Sequence, residues 1–188
     1  SGYRARQLSG ESATEPAVRK ALKSGPGLAH FATHGILSGD LPGLNEAALV
    51  LASTERSDGL LTASEIADLP LDLRLAVLSA CNTGNGEQIA GEGLVGVSRA
   101  FLTAGTEAVV ASLWPVDSKA TVALMEAFYA ELGSGKRPAD ALRAAKLELR
   151  DAQLSGDGSV RALKRKGTGR SADGAYFWSP FILVTLEG

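Results

Sequence analysis

Hydrophobic residues are arranged along this chain in two patterns, which are short uninterrupted apolar runs and longer stretches with a helical period. The runs predict strands that are covered on both faces, because such strands lack the apolar-polar alternation of a half-exposed strand. One of them begins at Leu73 and leads to Cys81 in a glycine-bearing turn. A shorter strand or hairpin arm is predicted at Ala47–Ser53. The other predicted strands are Leu28–Thr33, Glu107–Leu113 and Phe181–Leu186.

Helices are predicted between these runs from apolar spacing and from end signals. Thr14 is a good N-cap and Gly25 closes the first helix, while Thr62 and Glu65 have the spacing of a capping box. Strands that alternate with helices predict an α/β domain with a mostly parallel sheet and helices on both faces. The predicted helices are Glu15–Ser24, a short one after Thr62, Gly91–Ala104, Ser118–Leu132 and Pro138–Leu154.

Composition is that of one globular domain spanning residues 1–188, since 45% of the residues are hydrophobic and 21% are charged. A formal charge of −2 predicts no direct binding of nucleic acid, and no apolar stretch is long enough to predict a membrane partner. One cysteine cannot form a disulfide framework, and the first residues lack the apolar core of a secretion signal. A reducing, cytoplasmic location is therefore expected.

One segment, Ser155–Gly174, has no sustained period and combines five glycines with five basic residues. This composition predicts a mobile basic loop. The loop is either a site of processing or partner binding, or simply a solvated surface segment.

Two residues carry the candidate chemistry, because Cys81 and His34 each follow an apolar run and each lies next to or near glycine. In parallel sheets, sites form at the carboxyl ends of strands. Cys81 follows His34 by 47 positions, and caspase-type enzymes place their histidine about 50 residues upstream of the cysteine. A lone cysteine is more often a core residue, and a lone histidine a structural one. The two together favour a Cys-His dyad, whereas His30 is expected to be a buried, hydrogen-bonded histidine.

The chemistry explains these residue types. A free thiol has a pKa of about 8.5, so an imidazole is needed to raise the thiolate fraction or to take the proton at attack. The same imidazole can then protonate the departing amine.

Two other kinds of site are considered from the motifs. The segment Gly91–Gly96 matches the glycine pattern of dinucleotide-binding loops, but it does not follow a strand directly, so a tight loop and close helix packing are expected instead. One cysteine with His30 and His34 does not have zinc-ligand spacing. Neither a cofactor nor a metal is expected.

Five segments, taken together and in order, resemble the CHAT domain, a family of caspase-like cysteine peptidases that is related to caspases and separase. The resemblance extends from about Glu11 to Leu186. It implies a caspase-like fold. The segments are Phe31–Gly35, Ser79–Gly84, Gly91–Phe101, Ser112–Asp117 and Phe177–Phe181.

The resemblance implies a cysteine endopeptidase that acts on a protein or peptide substrate, with the backbone N–H groups of Gly35 and Cys81 as the oxyanion hole. CHAT domains are often fused to tetratricopeptide repeats, so a repeat region or partner chain within a bacterial multi-component assembly is expected. The alternative is a catalytically silent interaction module. Family members usually have another strand and helix before the segment near Glu11, so the first strand and helix are expected to be absent here or supplied by another chain.

The substrate pocket is predicted at the carboxyl end of the Glu107–Leu113 strand, which should lie beside the strand that leads to Cys81. Trp114 and Asp117 are the candidate lining residues, together with Ser79. In the related separases an aspartate from this region receives an arginine, whereas other CHAT peptidases accept apolar residues, so the resemblance alone does not decide the preference. A carboxylate at Asp117 that faces a guanidinium favours a basic residue before the cleaved bond, and this is the prediction. The alternative role of Asp117 is to cap the following helix.

Overall fold

The computed structural model describes residues 5–25, 27–79, 81–82, 91–114, 118–154 and 179–186. After a 3-10 turn at Gly10–Ser12, these residues form five helices and eight strands. The helices are α1 (Glu15–Leu22), α2 (Ala63–Ala67), α3 (Gly91–Thr103), α4 (Ser118–Gly133) and α5 (Pro138–Leu154). The strands are β1 (Gly27–Phe31), β2 (His34–Ile36), β3 (Ala48–Val50), β4 (Leu60–Thr62), β5 (Leu73–Leu78), β6 (Cys81–Asn82), β7 (Ala108–Ser112) and β8 (Phe181–Thr185).

The strands form two sheets. The main sheet has the order β1-β5-β7-β8, in which β1, β5 and β7 are parallel and β8 is antiparallel to β7. The small sheet has the order β4-β3-β2-β6, and its only parallel pair is β2 with β6. Since β2 follows β1 and β6 follows β5 after short breaks, the same two chain segments serve both sheets.

Helices cover both faces of the main sheet, as its uninterrupted apolar strands predict. Every residue of β7 is buried, and its side chains alternate between two apolar clusters. Val109 belongs to the cluster with α1, α2 and α3, whereas Val110 belongs to the cluster with α4 and α5. On the first face, the rings of Phe31 and Phe101 lie 5.3 Å apart. The predicted mostly parallel α/β fold is confirmed.

The helices begin and end within two residues of the predicted bounds, because helix ends are signalled by residues close to them in the sequence. At α2 the backbone N–H of Glu65 donates to the Thr62 hydroxyl, and the backbone N–H of Thr62 donates to the Glu65 carboxylate at 2.9 Å. This reciprocal pair is the capping box that the spacing predicts.

The strands differ more. The strand predicted as Leu28–Thr33 ends at Phe31, and a separate strand, β2, begins at His34. The prediction missed β2 and β4 because three-residue strands are too short to show a periodic pattern. The predicted basic loop Ser155–Gly174 lies outside the described residues, and the single-domain organisation stays a prediction. Within the described part of the chain, no helix has both the length and the apolar character needed to span a bilayer.

Candidate active site

The strand register brings the two predicted catalytic residues side by side. In the parallel pair of β2 and β6, His34 is the partner of Cys81, and Gly35 is the partner of Asn82. In β1 and β5, Leu28 is the partner of Leu75. Every one of these pairs has an offset of 47 positions, so the spacing seen in the sequence equals the register of two parallel strands. Neighbouring strands are about 4.8 Å apart, so the backbones of His34 and Cys81 are adjacent.

Both strands break shortly before the candidate residue, and a hydroxyl group bonds the backbone at each break. The Thr33 hydroxyl donates to the Val50 carbonyl of β3. On the other strand, the backbone N–H of Ser79 donates to the Phe31 carbonyl at 3.0 Å, and the Ser79 hydroxyl lies 3.3 Å from the same oxygen. These bonds hold the backbone at the two breaks. At these breaks the two chain segments pass from the main sheet into the small sheet.

His34 and Gly35 differ in their access to solvent. The side chain of His34 is exposed, whereas Gly35 is buried between β3 and β6. Gly35 pairs with Leu49 on one side and with Asn82 on the other. Its predicted contribution to an oxyanion hole, together with that of Cys81, stays a prediction.

His30 is bonded at both ring nitrogens. Its Nε2 lies 2.6 Å from the Ser79 hydroxyl, and its Nδ1 lies 2.8 Å from the Tyr129 hydroxyl. The hydrogen bonding expected for His30 is thus present, but the expected burial is wrong, because the residue as a whole is exposed. The surrounding atoms nevertheless desolvate the ring, and this lowers the pKa of His30.

The sequence did not point to Tyr129. This residue is in α4, 99 positions after His30, and helix periodicity did not place it on the inward face. No local pattern marks such a contact, because only the packing of α4 against the main sheet brings the two residues together. Thr33 was likewise missed, although a threonine directly before His34 was visible in the sequence.

The predicted substrate pocket is partly described. As predicted, β7 lies beside β5 in parallel, with Leu78 paired to Ala111. Trp114 follows the end of β7 by two residues. The Ser112 hydroxyl donates to the Trp114 carbonyl at 2.7 Å, and the backbone N–H of Leu113 donates to the Pro180 carbonyl at 2.9 Å. The chain therefore leaves β7 with a defined turn at Trp114.

Asp117, the other predicted pocket residue, lies outside the described residues, so its two alternative roles stay predictions. Ser79, predicted to contact substrate, has its hydroxyl within bonding distance of His30 and Phe31, and that predicted role also stays open.

The glycine-rich segment opens a helix, since α3 begins at Gly91. A methyl group at Gly96 would lie 3.9 Å from the Cβ of Ala47, which is an ordinary van der Waals contact, so the close packing expected of these glycines stays a prediction. Among the described residues, no three His, Cys, Asp or Glu side chains are grouped so that they could hold a metal ion.

Comparison with known proteins gives one family and two relatives. The family model described as CHAT domain matches residues 2–185. An 83-residue stretch, which is 44% of this chain, is 41% identical to Tetratricopeptide repeat protein 28 of Mus musculus. A stretch of the same length is 39% identical to Tetratricopeptide repeat protein 28 of Homo sapiens. In both cases the matched part is 3% of the relative's own length.

Proposed function

The chain belongs to the CHAT domain family, and on that premise we propose that it is a cysteine endopeptidase in which Cys81 and His34 form the catalytic dyad. The observation that carries the proposal is the register of β2 and β6, in which His34 and Cys81 are direct partners. A family resemblance alone supports a caspase-like domain. The paired positions add the juxtaposition that a nucleophile and its base require.

The proposed reaction has two steps. The Cys81 sulfur, after its proton has passed to His34, bonds to the carbonyl carbon of the scissile peptide. The carbon–nitrogen bond then breaks, and the amine leaves with the proton that His34 returns. In the second step His34 takes a proton from water, the hydroxide attacks the thioester carbon, and the carbon–sulfur bond breaks to release the acid and the thiol.

The negative charge that develops on the carbonyl oxygen needs hydrogen-bond donors in fixed positions. We assign this role to the backbone N–H groups of Gly35 and Cys81. These groups belong to β2 and β6, the two paired strands that carry the dyad. Each donor of this kind is typically worth about 3 to 4 kcal/mol in the transition state.

The proposed substrate is a protein or peptide with a basic residue before the cleaved bond. Trp114, which follows β7, and Asp117 are the proposed lining residues, together with Ser79. A carboxylate that receives a guanidinium makes charge-assisted hydrogen bonds, which are about twice as strong as neutral ones. A cytoplasmic setting suits this mechanism, because reducing conditions keep a lone thiol reactive.

The test compares peptide cleavage by the parent, Cys81→Ala and His34→Ala, with a peptide library that varies the residue before the cut. We expect no turnover from Cys81→Ala and a rate lowered by about 10² to 10⁴ for His34→Ala, since general acid-base help is of that size. His34 is exposed, so its variant should melt close to the parent temperature. Parent-like turnover in either variant would rule out the dyad, and efficient cleavage after Asp or Glu would rule out the basic preference.

A second candidate function is a protein-interaction module without turnover. The observation in its favour is that the matched relatives are named as tetratricopeptide repeat proteins. The proposed binding partner is therefore a repeat region of the same chain or of a partner chain. A module would bind such a region equally well as parent, Cys81→Ala and His34→Ala. Cleavage by the parent that is lost in Cys81→Ala excludes this reading.

A further inference from the structure

Three polar side chains from different parts of the chain form a continuous hydrogen-bonded row next to the dyad strands. Tyr129 of α4 bonds to Nδ1 of His30 at 2.8 Å, and Nε2 of His30 bonds to the Ser79 hydroxyl at 2.6 Å. The Ser79 hydroxyl is also 3.3 Å from the Phe31 carbonyl. The rings of His30 and Tyr129 are in contact, with centroids 5.7 Å apart.

The groups of this row can be paired in two ways. The Ser79 N–H already donates to the Phe31 carbonyl, so the Ser79 hydroxyl can either accept from Nε2 of His30 or donate to it. The Tyr129 hydroxyl can likewise donate to Nδ1 or accept from it. Either neutral tautomer of His30 therefore has a partner at both ring nitrogens.

The local environment favours the neutral form of the His30 imidazole. Desolvation lowers the pKa of His30 and raises the pKa of Tyr129, so the imidazole stays uncharged and the phenol keeps its proton.

The row ends on the backbone that leads to Cys81. Ser79 follows the last residue of β5 and precedes Cys81 by two positions, and its bonds to Phe31 tie it to the strand that leads to His34. We propose that His30 is a positioning residue: together with Tyr129 and Ser79, it sets the backbone at the break between β5 and β6 and so holds Cys81 opposite His34. This inference rests on the proposed function, because the position of Cys81 matters for catalysis only if Cys81 is the nucleophile.

The first experiment measures how fast iodoacetamide alkylates the protein as a function of pH. The chain has one cysteine, so all alkylation occurs at Cys81. We expect Tyr129→Phe and His30→Phe to lower the rate at pH 7 by about 3- to 10-fold, the size of one lost hydrogen bond, and to move the pH midpoint towards that of an ordinary thiol. His30→Gln should restore the rate to within about 2-fold, since its amide can donate to Ser79 and accept from Tyr129.

The matched control is Met125→Ala. Met125 is buried on the same face of α4, one turn before Tyr129, and its truncation destabilises the domain without removing a bond to His30. At temperatures where each protein is fully folded, Met125→Ala should alkylate like the parent. If it slows alkylation as much as Tyr129→Phe does, or if Tyr129→Phe and His30→Phe match the parent, His30 has no positioning role.

The same data separate this inference from the proposed function. A parent that alkylates like His34→Ala at every pH contradicts the dyad itself. A parent that differs from His34→Ala, while the His30 and Tyr129 variants match the parent, contradicts only the positioning role. Hydrolysis that survives in Cys81→Ala and is lost in Ser79→Ala would overturn both, because Ser79 would then be the nucleophile with His30 as its base.

The second experiment reads the protonation of His30 directly by nitrogen NMR of the imidazole rings. The chain has only two histidines, so a His34→Ala sample assigns His30. We expect a neutral ring at pH 7, and we expect Tyr129→Phe to perturb Nδ1 more than Nε2. A charged His30 at pH 7, or a Tyr129→Phe variant that leaves the Nδ1 signal unchanged, would overturn the proposed row.

Discussion

Gly105, at the turn between α3 and β7, tests how the main sheet next to the candidate active site is built. Its φ of +110° is one that L side chains rarely adopt, and a Cβ there would lie 2.5 Å from the Leu71 carbonyl oxygen. The same turn is bonded to the segment that enters β5. The Leu71 N–H donates to the Ala104 carbonyl at 2.8 Å, and the Glu107 N–H donates to the Leu73 carbonyl at 2.9 Å.

Gly105→Ala should therefore destabilise the fold through two effects. Backbone strain at such a φ costs about 1 to 3 kcal/mol, and loss of one of the backbone bonds as the turn shifts costs about 0.5 to 1.5 kcal/mol. The smaller entropy of the unfolded alanine chain offsets about 0.4 to 1 kcal/mol. We expect a net loss of about 2 to 3 kcal/mol, which in a domain of this size lowers the melting temperature by about 4 to 12 °C.

Calorimetry and urea titration of two alanine variants would measure the effect. The matched control is Gly135→Ala, because Gly135 also has a positive φ, of +93°, but no atom lies within 4 Å of its added Cβ. The control should lose only the strain component, about 1 kcal/mol after the entropy offset. Equal melting temperatures for the two variants would refute the argument that the close approach of Leu71 requires glycine at position 105.

Three further predictions concern single polar groups. Thr33→Val removes the hydroxyl bonded to the Val50 carbonyl, so it should lower the free energy of unfolding by about 1 to 3 kcal/mol and slow peptide cleavage. Thr33→Ser, which keeps the hydroxyl, should behave like the parent, and equal melting temperatures for all three proteins would contradict the bond. Thr106 is 1% exposed and its hydroxyl has no hydrogen-bond partner among the described residues, so Thr106→Val should raise stability by about 1 kcal/mol, whereas a lower melting temperature would reveal a partner. Hydrogen bonds from Ser64 lower the pKa of Glu46, so the Glu46 carboxylate stabilises the fold at pH values above its ordinary pKa of about 4.3. The parent should therefore be more stable than Glu46→Gln at pH 6, and this difference should disappear as the pH falls to 3. A difference in urea midpoint that is constant over this range would argue against the stabilising role of the carboxylate.

The parts of the fold that were predictable are those recorded in local or periodic patterns. The uninterrupted apolar run at β7 predicted a strand covered on both faces, and the capping box at Thr62 predicted α2. The spacing between His34 and Cys81 was informative for a physical reason that the structure supplies, because it equals the register of two adjacent parallel strands. Residues that share such an offset are necessarily neighbours once the strands pair.

The chain pattern could not show how these strands divide between two sheets. Phe31 and Leu78 each end a strand of the main sheet, and the short strands that follow them join a second sheet whose other members are too brief to have a period of their own. At one of the breaks the Thr33 hydroxyl donates to the Val50 carbonyl, 17 positions away, and no local pattern predicts that contact.

The polar contacts next to His34 and Cys81 could not be predicted from the sequence either. The row from Tyr129 through His30 to Ser79 joins residues that are 99 and 49 positions apart. Apolar periodicity records which face of an element is buried, but it carries no information on which polar groups meet when two elements pack together. Amino-acid order therefore determined which strands and helices form and which two residues stand opposite each other, while the packing of α4 on the sheet determined that Tyr129 meets His30.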